Sequence, residues 1–578
     1  MARMTAPPAI VILGVGAVAT ARRVQKVFEG ATIHGLQGRI PAADADVAYT
    51  ELSAHLRGLY ASGTPVVALC AAGIVIRCVA PLLSNKGVEP PVLAVAEDGS
   101  AVVPLLGGLS GANAMAREIG AALDVPPAIT TSGELRFGAC VLNPPDGYAL
   151  ASIDQGKRFV SDLLAGEATR IEGDAPWLDG VQLPRANDAR RTIRVTPLAW
   201  SGATDELVIH PRSVVAAIDE TATGDGLPER LLDAMRARGL AEQSLAVLLA
   251  PASRTGDPVL HDAAQALQVA LRFTADSDAG NNAAQMLRAS LHVPHTPFDA
   301  HANASVAFAA AHAPLDPATV GRARGKLSVI GLGPGAASLM APAARAALTQ
   351  ATDILGYETY VNMAGPFRAD QRVHGTDNRE EMQRARHAFE LASAGRHVAM
   401  VSSGDPGVFA MAAAVLEALD EAQAQTHYAA WSAVELEIVP GVSAAFATAA
   451  QAGAPLGHDF CVLSLSDNLK PWSVIETRLR HAAEADLVMA FYNPISRARP
   501  WQLDKALDIV RDFRAPSTVV VLGRDIGRPG ATLKTTTLAD LKSADVDMRT
   551  MVIIGSSATR AFCAAGGREW VYTPRWYG

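Results

Sequence analysis

Glycine-rich turns follow several apolar runs in the second half of the chain, and they are the first feature that suggests chemistry. The stretch "SVIGLGPGAASLMAPAARAAL" (328–348) places Gly331 and Gly333 directly after a short apolar run. "SSGDPG" (402–407) and "VPGVS" (439–443) hold the same kind of position farther along. Glycines at strand exits let a flat ligand approach the backbone closely. The pattern predicts a crevice for an adenosine-sized ligand at the carboxyl edge of a parallel sheet.

Two stretches fit the G-x-G-x-x-[GA] pattern of dinucleotide-binding turns, "GVGAVA" (14–19) and "GLGPGA" (331–336). That fingerprint also needs an acidic residue at the end of the following strand, where it holds a ribose. The strand after the first stretch ends in His34 and Gly35, and Asp353 opens the strand after the second instead of ending it. The sequence therefore argues against a nicotinamide-dependent oxidoreductase, which stays the alternative from a different class. No lysine follows the glycines, so there is no P-loop.

Composition limits the remaining possibilities. A chain of 578 residues with 49% hydrophobic and 19% charged residues can bury several cores, which predicts three or four domains. Runs of β-branched residues alternate with alanine-rich stretches, a pattern typical of α/β folds. The net charge of −8 and the 5% aromatic content argue against a nucleic-acid partner. No apolar stretch reaches the ~18 residues that a membrane span needs, so we expect no membrane association.

Cysteine usage indicates a reducing compartment. The five cysteines are mostly far apart and include no C-x-x-C pair, which favours free thiols in the cytoplasm over disulfides or a thiolate metal site. The apolar stretch "PPAIVILGVGAVATA" (7–21) precedes Arg22 and Arg23 and contains turn glycines. We interpret it as a strand, a turn and a helix instead of a signal peptide.

The fold class predicted from these patterns is α/β and multidomain. The main boundary falls in "AHAPLDPATVGRARGK" (311–326), where prolines, glycines and basic residues precede a new strand. A weaker boundary lies in the polar region between residues 142–147 and 191–198. The predicted domains are residues 1–140, 141–205, 206–315 and 326–578, the last with subdomains at about 326–445 and 455–578.

The motifs of the second half resemble those of a known family. "GLGPG", "GYETYV", "SSGDPGVFAMA", "VPGVSAAFATAAQAGAPLGHDF", "LSLSDNLKPW", "FYNP", "GRDIGRPG" and "IIGSS" follow in this order across residues 326–578. The series is similar to the tetrapyrrole methylase family, and "FYNP" and "RDIGRPG" most resemble its carbon-17 methyltransferases. The resemblance implies two α/β subdomains with S-adenosylmethionine folded in the cleft between them, and a homodimer. It also implies methylation of precorrin-3B at carbon 17 with ring contraction in cobalamin biosynthesis.

The same resemblance carries a set of site residues. By motif, the residues expected to contact S-adenosylmethionine are Pro334, Ser403, Gly404, Asp405, Val408, Ser443, Ala444, Tyr492 and Asn493. Asp405 is the strongest candidate for a polar contact, although an Asx turn or a helix cap explains an aspartate in a D-P-G sequence equally well. The reaction requires in-line positioning of an already activated methyl group, so no metal is expected.

A precorrin carries many acetate and propionate groups, which call for basic partners. The substrate-binding candidates are Lys470, Arg497, Arg524 and Arg528, with His458, Arg499 and Lys534 considered beside them. Ring contraction also needs a proton donor or acceptor near the rim of the macrocycle. His458, Asp467 and Asp525 are the candidates for that role, and the sequence does not choose among them.

The first half resembles cobalt-precorrin-5A hydrolase, an enzyme that opens a lactone on the macrocycle. The resemblance rests on residues 63–83, 98–120, 128–134 and 206–226. The histidine that this family commonly carries is absent at Leu109 and Ser110, which removes the obvious base. We therefore expect reduced or no lactonase activity. "GAN" (111–113), with Thr130, Thr131 and Ser132, suits a carboxylate ligand or, equally, a capped helix start.

The stretch "LHVPHTPFDAH" offers His292, His295, Asp299 and His301 as possible metal ligands. Prolines at 294 and 297 prevent a helix that could present these side chains together, so a polar loop is the favoured interpretation. Within the methylase fold, another precorrin or cobalt-precorrin, diphthamide or ribosomal RNA are the alternative substrates. The acidic and aromatic-poor composition argues against RNA.

Overall fold

The structure is a computed structural model, and it describes residues 7–83, 89–222, 224, 226–274, 282–298, 305–377, 381–496 and 499–576. Contacts divide the chain into two compact units. Unit 1 consists of Met1–Pro251 and Pro258–Gly321, and unit 2 consists of Ala252–Asp257 and Arg322–Gly578. The predicted α/β multidomain class is confirmed. The individual domain limits given above stay predictions.

Unit 1 begins with a six-stranded sheet. Its elements are β1 (Ala9–Ile12), α1 (Val18–Gln25), β2 (Thr32–Leu36), β3 (Val47–Tyr49), α2 (Leu52–Ala61), β4 (Val66–Leu69), α3 (Ala72–Val79), β5 (Val92–Val95), β6 (Val102–Leu106) and α4 (Ala112–Leu123). The strand order is β3-β2-β1-β4-β5-β6, with β6 antiparallel to β5. Every residue of β1 and β4 is buried, as expected for the central strands of a parallel sheet with helices on both faces.

Two further sheets complete unit 1. Their elements are α5 (Ser132–Phe137), β7 (Tyr148–Leu150), α6 (Ile153–Leu164), β8 (Thr169–Glu172), β9 (Arg191–Val195), β10 (Glu206–Pro211), β11 (Val214–Ile218), α7 (Leu227–Ala237), β12 (Leu245–Ala250), α8 (Pro258–Ala266), β13 (Ala270–Phe273), α9 (Ala283–Ser290), β14 (His295–Pro297) and β15 (Val306–Ala311). The strand orders are β7-β10-β9-β8 and β13-β12-β11-β15-β14. Both sheets mix parallel and antiparallel pairs.

The first lobe of unit 2 is a five-stranded, wholly parallel sheet. Its elements are β16 (Lys326–Gly331), α10 (Pro342–Gln350), β17 (Asp353–Tyr357), α11 (Glu358–Ala364), β18 (Arg372–Thr376), α12 (Glu381–Ser393), β19 (His397–Ser402), α13 (Met411–Ala422), α14 (Tyr428–Ser432) and β20 (Glu435–Val439). The strand order is β18-β17-β19-β16-β20. Because β16, β19 and β20 are neighbours and parallel, the loops that follow them leave the sheet at one edge.

The second lobe of unit 2 carries a mixed sheet and a small three-stranded sheet. Its elements are α15 (Ala444–Ala452), β21 (Gly453–Ala454), β22 (Phe460–Ser464), α16 (Trp472–Glu484), β23 (Val488–Tyr492), α17 (Gln502–Arg511), β24 (Val519–Arg524), β25 (Thr532–Thr537), β26 (Thr550–Ile554), β27 (Arg560–Cys563) and β28 (Glu569–Tyr572). The strand orders are β22-β23-β26-β24-β25 and β21-β28-β27. The "FYNP" motif (491–494) begins within the last two residues of β23, and "RDIGRPG" (524–530) begins at the last residue of β24.

Two predictions about the starts of elements are confirmed. Helix α10 starts at Pro342, and Asp353 opens β17, where its buried carboxylate accepts a hydrogen bond from His374 and pairs with Arg396 at 2.6 Å. All five cysteines of the chain lie among the described residues, and each is a free thiol. In the described part of the chain, no helix combines the length and the apolarity that crossing a bilayer requires.

Candidate active site

Three glycines from three loops meet at the carboxyl edge of the first-lobe sheet. Gly331 ends β16, Gly404 follows β19 and Gly441 follows β20. A Cβ atom on Gly331 would lie 2.5 Å from the Gly404 carbonyl oxygen, and one on Gly441 would lie 2.2 Å from the same oxygen. Side chains at these positions would force the loops apart, so glycine is required. The backbones of these loops therefore pack directly against one another, while the predicted approach of a flat ligand to the glycines stays a prediction.

The first two loops are also hydrogen-bonded to each other. The Gly333 N–H donates to the Gly404 carbonyl at 3.1 Å, and the Gly404 N–H donates to the Gly333 carbonyl at 2.7 Å. Both glycines have positive φ angles, +74° and +72°, a conformation that glycine adopts without steric cost. This pair of bonds holds the first two loops together in one geometry.

Asp405 joins the second and third loops. Its Oδ1 accepts a hydrogen bond from the Gly407 N–H at 2.8 Å, and its Oδ2 accepts one from the Gly441 N–H at 3.0 Å. The first bond forms the Asx turn that the D-P-G sequence suggested, and the second reaches a loop 36 residues later. Both oxygens therefore position backbone, while a contact from Asp405 to a cofactor stays a prediction.

Hydroxyl groups line the same edge. Ser402 is 1% exposed, and within the described residues its Oγ has no hydrogen-bond partner. Ser443 caps α15 by accepting a bond from the Phe446 N–H at 3.4 Å, and the Tyr492 hydroxyl accepts one from the Ala445 N–H at 3.2 Å. Ser443, Ala444 and Tyr492, which the motifs predicted to lie together, thus meet at the start of one helix.

Arg528 crosses from the second lobe to both glycine loops of the first. Its Nε donates to the Pro334 carbonyl at 2.9 Å, and its Nη2 donates to the Ser403 Oγ at 2.9 Å. Gly335, with φ +138°, leaves room for it, because a Cβ there would lie 2.7 Å from the Arg528 Cγ. Arg528 therefore fixes loop geometry, and its predicted role in substrate binding stays a prediction.

The "SLSD" and "FYNP" motifs are bonded to one another. Asn493, with φ +50°, donates from Nδ2 to the Ser464 Oγ at 3.1 Å. The Asp467 Oδ1 accepts bonds from Arg499 at 2.8 Å and from Gln502 at 2.9 Å. The hydrogen bond from Arg499 holds the pKa of Asp467 below its usual value. Asp467 is therefore ionised near neutral pH and suits proton donation poorly.

Asp525 is enclosed by arginines. Its side chain is 1% exposed and accepts bonds from the Arg549 Nε at 2.7 Å and the Arg524 Nη1 at 3.1 Å. Arg524 also donates to Asp547 at 2.9 Å. This ion-pair network shapes the loop that carries Arg528.

The remaining predicted residues are placed as follows. The His458 Nδ1 accepts a bond from the Asp459 N–H at 2.7 Å, and Lys534 pairs with Asp545 at 3.4 Å. Val408 lies between Asp405 and α13 and is partly exposed. Arg497 lies outside the described residues.

Lys470 faces the ring of Phe409, a residue that the sequence did not single out. Its ammonium lies 5.9 Å from the centroid of the Phe409 ring, and the Phe409 and Tyr492 rings are 5.4 Å apart at 60°. Burial lowers the pKa of Lys470, and the nearby Arg478 lowers it further. Phe409 is 51% exposed and has φ +52°. Its presence in "GVFAMA" was visible in the sequence, but its backbone conformation was not.

In unit 1, Leu109 and Ser110 line a cavity of about 880 Å³. The charged groups lining it among the described residues are Glu89, Asp146 and Arg212. The Asn113 Nδ2 donates to the Thr131 Oγ1 at 3.0 Å, and Thr131 precedes α5, which begins at Ser132. Helix α4 begins at Ala112 within "GAN", so the expected helix start is present, but neither α4 nor α5 has a side-chain cap.

The histidine-rich stretch is only partly described. His292 is exposed, and the His295 Nδ1 lies 2.8 Å from the Val293 carbonyl oxygen, in position to donate. Asp299 and His301 lie outside the described residues. Among the residues that the structure does describe, no group of three possible metal ligands is found.

Comparison with known proteins gives matches in both halves. Residues 326–542 match the family Tetrapyrrole (Corrin/Porphyrin) Methylases, and residues 54–134 match the family Cobalamin synthesis G N-terminal. A precorrin-3B C(17)-methyltransferase from a Sinorhizobium species is 51% identical over 253 residues, which are 44% of this chain and 97% of that protein. A probable cobalt-factor III C(17)-methyltransferase from Salmonella typhimurium is 42% identical over 233 residues, 40% of this chain and 93% of that protein. The crystal structure of the methyltransferase CobJ is 48% identical, covers 43% of this chain and 100% of its own, and gives a TM-score of 0.40.

The converging glycine loops and these relatives define the second half as a methyltransferase. The chain belongs to the tetrapyrrole methylase family. Its first half carries a region of the cobalamin synthesis G N-terminal family, the group to which the resemblance to a hydrolase had pointed.

Proposed function

We propose that unit 2 transfers a methyl group from S-adenosylmethionine to carbon 17 of precorrin-3B and promotes contraction of the ring. The observation that carries this proposal is the convergence of the loops of Gly331, Gly404 and Gly441, whose backbones meet at three adjacent strand exits. The 51% identity to a protein named for this reaction supports the substrate. The relative named for cobalt-factor III makes a cobalt-containing substrate the nearest alternative.

S-adenosylmethionine would supply a methyl group already activated by a sulfonium centre. The residues of this chain then have to bind and orient the cofactor and the substrate and keep water out, since positioning alone accounts for much of the rate of such a transfer. The glycine edge offers a surface without side chains for the adenosine. The proposed contacts are Pro334, Ser403, Gly404, Asp405, Val408, Ser443, Ala444, Tyr492 and Asn493. Ser402, with its buried and unpartnered Oγ in the described residues, adds one donor at this edge.

Lys470 is the proposed partner of a substrate carboxylate. Arg499 and Arg524 already pair with the carboxylates of Asp467 and Asp525, whereas no carboxylate pairs with Lys470 among the described residues. Arg524 and Arg528 remain proposed secondary contacts through their remaining N–H groups. Of the three acid-base candidates, Asp467 and Asp525 already accept hydrogen bonds from arginines, which leaves His458 as the proposed acid-base group.

The decisive experiment incubates the full chain with S-adenosylmethionine and either precorrin-3B or cobalt-factor III. One added methyl group by mass and the absorption spectrum of a contracted ring are the expected products. A separate binding measurement compares S-adenosylhomocysteine with NAD. Tight binding of NAD without binding of S-adenosylhomocysteine would replace the methyltransferase proposal with the oxidoreductase alternative.

For unit 1 we propose a binding or scaffolding role with little or no lactonase activity. Leu109 and Ser110 stand where the related hydrolases commonly carry histidine. The nearby cavity has two carboxylates and one arginine in its described lining, and that arginine donates to the Gln268 carbonyl at 2.9 Å. Such a lining suits a polycarboxylate poorly. Incubation with cobalt-precorrin-5A should release no acetaldehyde, and stoichiometric release would contradict the proposal.

The family resemblance also supports a homodimer, which we propose to form through unit 2. Phe446 and Phe460 are 51% and 37% exposed, and their rings contact each other at 6.1 Å, so this half presents an apolar patch. Light scattering should give twice the 60.2 kDa mass of the chain. The free state of all five cysteines supports the proposal of a cytoplasmic protein.

A further inference from the structure

Phe409 has an unfavourable backbone conformation that its own packing does not explain. Among the described residues, the non-glycine residues with positive φ are Asp124, Gln268, Phe409, Asp486, Asn493 and Asp525. Asn and Asp side chains form local hydrogen bonds that favour this region, but a phenylalanine side chain cannot. Half of the Phe409 side chain is exposed, so burial in a core does not offset the cost. Strained residues of this kind concentrate at ligand sites.

The Phe409 ring, which comes from the first lobe, contacts two side chains of the second lobe. Tyr492 forms one wall, with its ring 5.4 Å away and its hydroxyl fixed by the Ala445 N–H. Lys470, from the second lobe, covers the ring with its ammonium 5.9 Å from the centroid. An exposed apolar ring, a fixed aromatic ring and an ammonium group thus meet beside the proposed cofactor loops.

We propose that Phe409 is the platform on which one face of the macrocycle packs, and that Lys470 leaves the ring to pair with a carboxylate at the rim. This inference rests on the proposed function and names the residues that select its substrate. A polycarboxylate macrocycle combines an apolar face with an anionic edge. The Phe409 ring suits the apolar face, and the Lys470 ammonium suits the anionic edge. In the described part of the site, Arg499 and Arg524 pair with carboxylates and Arg528 donates to the Pro334 carbonyl and the Ser403 hydroxyl, so a substrate can recruit Lys470 without breaking such contacts.

The role assigned to Phe409 is one of specificity, so it affects binding of the macrocycle and not binding of the cofactor. The substitution Phe409→Ala in the full chain should raise KM for the macrocycle about tenfold, an energy of about 1.4 kcal/mol. The Kd for S-adenosylhomocysteine should stay within about twofold of the wild-type value. Phe409→Tyr retains the aromatic face and should restore KM to nearly the wild-type value.

Phe562→Ala is the matched control. Phe562 is also 51% exposed and contacts a tyrosine ring, that of Tyr572, at 5.9 Å, but it lies on β27 of the small sheet. The control should leave KM unchanged. A Phe409→Ala enzyme with unchanged KM, or with KM and the Kd for S-adenosylhomocysteine raised in parallel, would overturn the platform.

Lys470 provides the second test. Lys470→Gln should raise KM, and the double variant with Phe409→Ala should raise it by less than the product of the two single effects, because both residues act on one bound ligand. Lys505→Gln, which removes an ammonium 4.6 Å from the Trp501 ring, is the control. Strict multiplicativity of the two effects would contradict the shared site. If the wild-type chain binds no S-adenosylhomocysteine, the proposed function itself fails, which is a separate result.

Discussion

At the scale of single residues, the candidate site depends on backbone atoms held by very few side chains. Asp405 is one of them, since its two oxygens accept bonds from Gly407 and from Gly441 on another loop. Asp405→Ala leaves the Gly441 N–H without its acceptor and should lower the free energy of unfolding by about 1–3 kcal/mol. Chemical denaturation and the Kd for S-adenosylhomocysteine measure the effect, and both should worsen together.

Asp98→Ala is the control for that substitution. The Asp98 carboxylate bonds only within its own exposed turn, where its Oδ1 accepts from the Ser100 N–H at 3.0 Å. Its removal should change stability by less than about 0.5 kcal/mol, in the range of ordinary surface substitutions. Equal losses from both variants would mean that Asp405 does no more than form a local turn.

Gly441 gives a steric test at the same scale. A Cβ on Gly441 would lie 2.2 Å from the Gly404 carbonyl oxygen and 2.7 Å from the Gly331 carbonyl oxygen. Gly441→Ala should therefore separate the loops and weaken S-adenosylhomocysteine binding at least about tenfold, or 1.4 kcal/mol. Gly58→Ala in α2, where a Cβ meets no atom within 4 Å, should instead stabilise the chain by about 0.5–1 kcal/mol. Unchanged binding by Gly441→Ala would remove the steric argument for the crevice.

At the scale of elements, the packing of α2 on the first sheet contains a pair of histidines. The His34 Nδ1 lies 2.9 Å from the His55 Nε2, and the Tyr49 ring stacks on His55 at 4.5 Å. Burial, together with His55, lowers the pKa of His34 from 6.5 to about 4. A protonated His34 is therefore disfavoured in the folded state.

The sign of the pH effect follows from that depression. In unfolded chains His34 takes up a proton below pH 6.5, whereas the folded state does so only near pH 4. Above pH 6.5 the neutral His34 therefore costs the folded state nothing. Below that pH the free energy of unfolding falls by up to about 1.4 kcal/mol per pH unit. Calorimetry between pH 7 and pH 4.5 should show unit 1 losing stability. The substitution His34→Gln should make this dependence of stability on pH less steep. His292→Gln, at an exposed position, is the control and should keep the wild-type dependence of stability on pH. If His34→Gln also keeps it, the acid sensitivity arises from other residues.

The elements themselves were largely predictable because the signals are local. Glycine turns after apolar runs located the ends of β16, β19 and β20, and proline located the start of α10. The partners of the side chains were not predictable in this way. Arg528 reaches Pro334 and Ser403 across 194 and 125 residues, and the left-handed backbone of Phe409 depends on contacts that no local pattern encodes. Both residues were within quoted motifs, yet their functions there required the assembled loops.

At the scale of the whole molecule, every residue named for the methyltransferase site lies in unit 2, which also has its own buried cores. One short segment of unit 2 comes from earlier in the chain, Ala252–Asp257, and no composition signal marked it. Within unit 2 the Thr255 Oγ1 accepts a bond from Arg322 at 3.4 Å, and a Cβ on Gly256 would lie 3.3 Å from the Ala433 Cα. Removing residues 1–321 therefore removes a small part of unit 2 along with unit 1.

This arrangement predicts how a fragment of residues 322–578 behaves. It should bind S-adenosylhomocysteine and methylate the macrocycle with kcat/KM within about threefold of the full chain, a difference below 1 kcal/mol in transition-state stabilisation. Its Tm should fall by a few degrees, because the contacts of Thr255 and Gly256 are lost. Adding a peptide of residues 250–259 at high concentration should recover part of that loss, since a ligand of the folded state stabilises it by mass action. A fragment that folds and binds S-adenosylhomocysteine but no longer methylates would show that unit 1 takes part in the reaction itself, and the scaffolding role proposed for it would then be wrong.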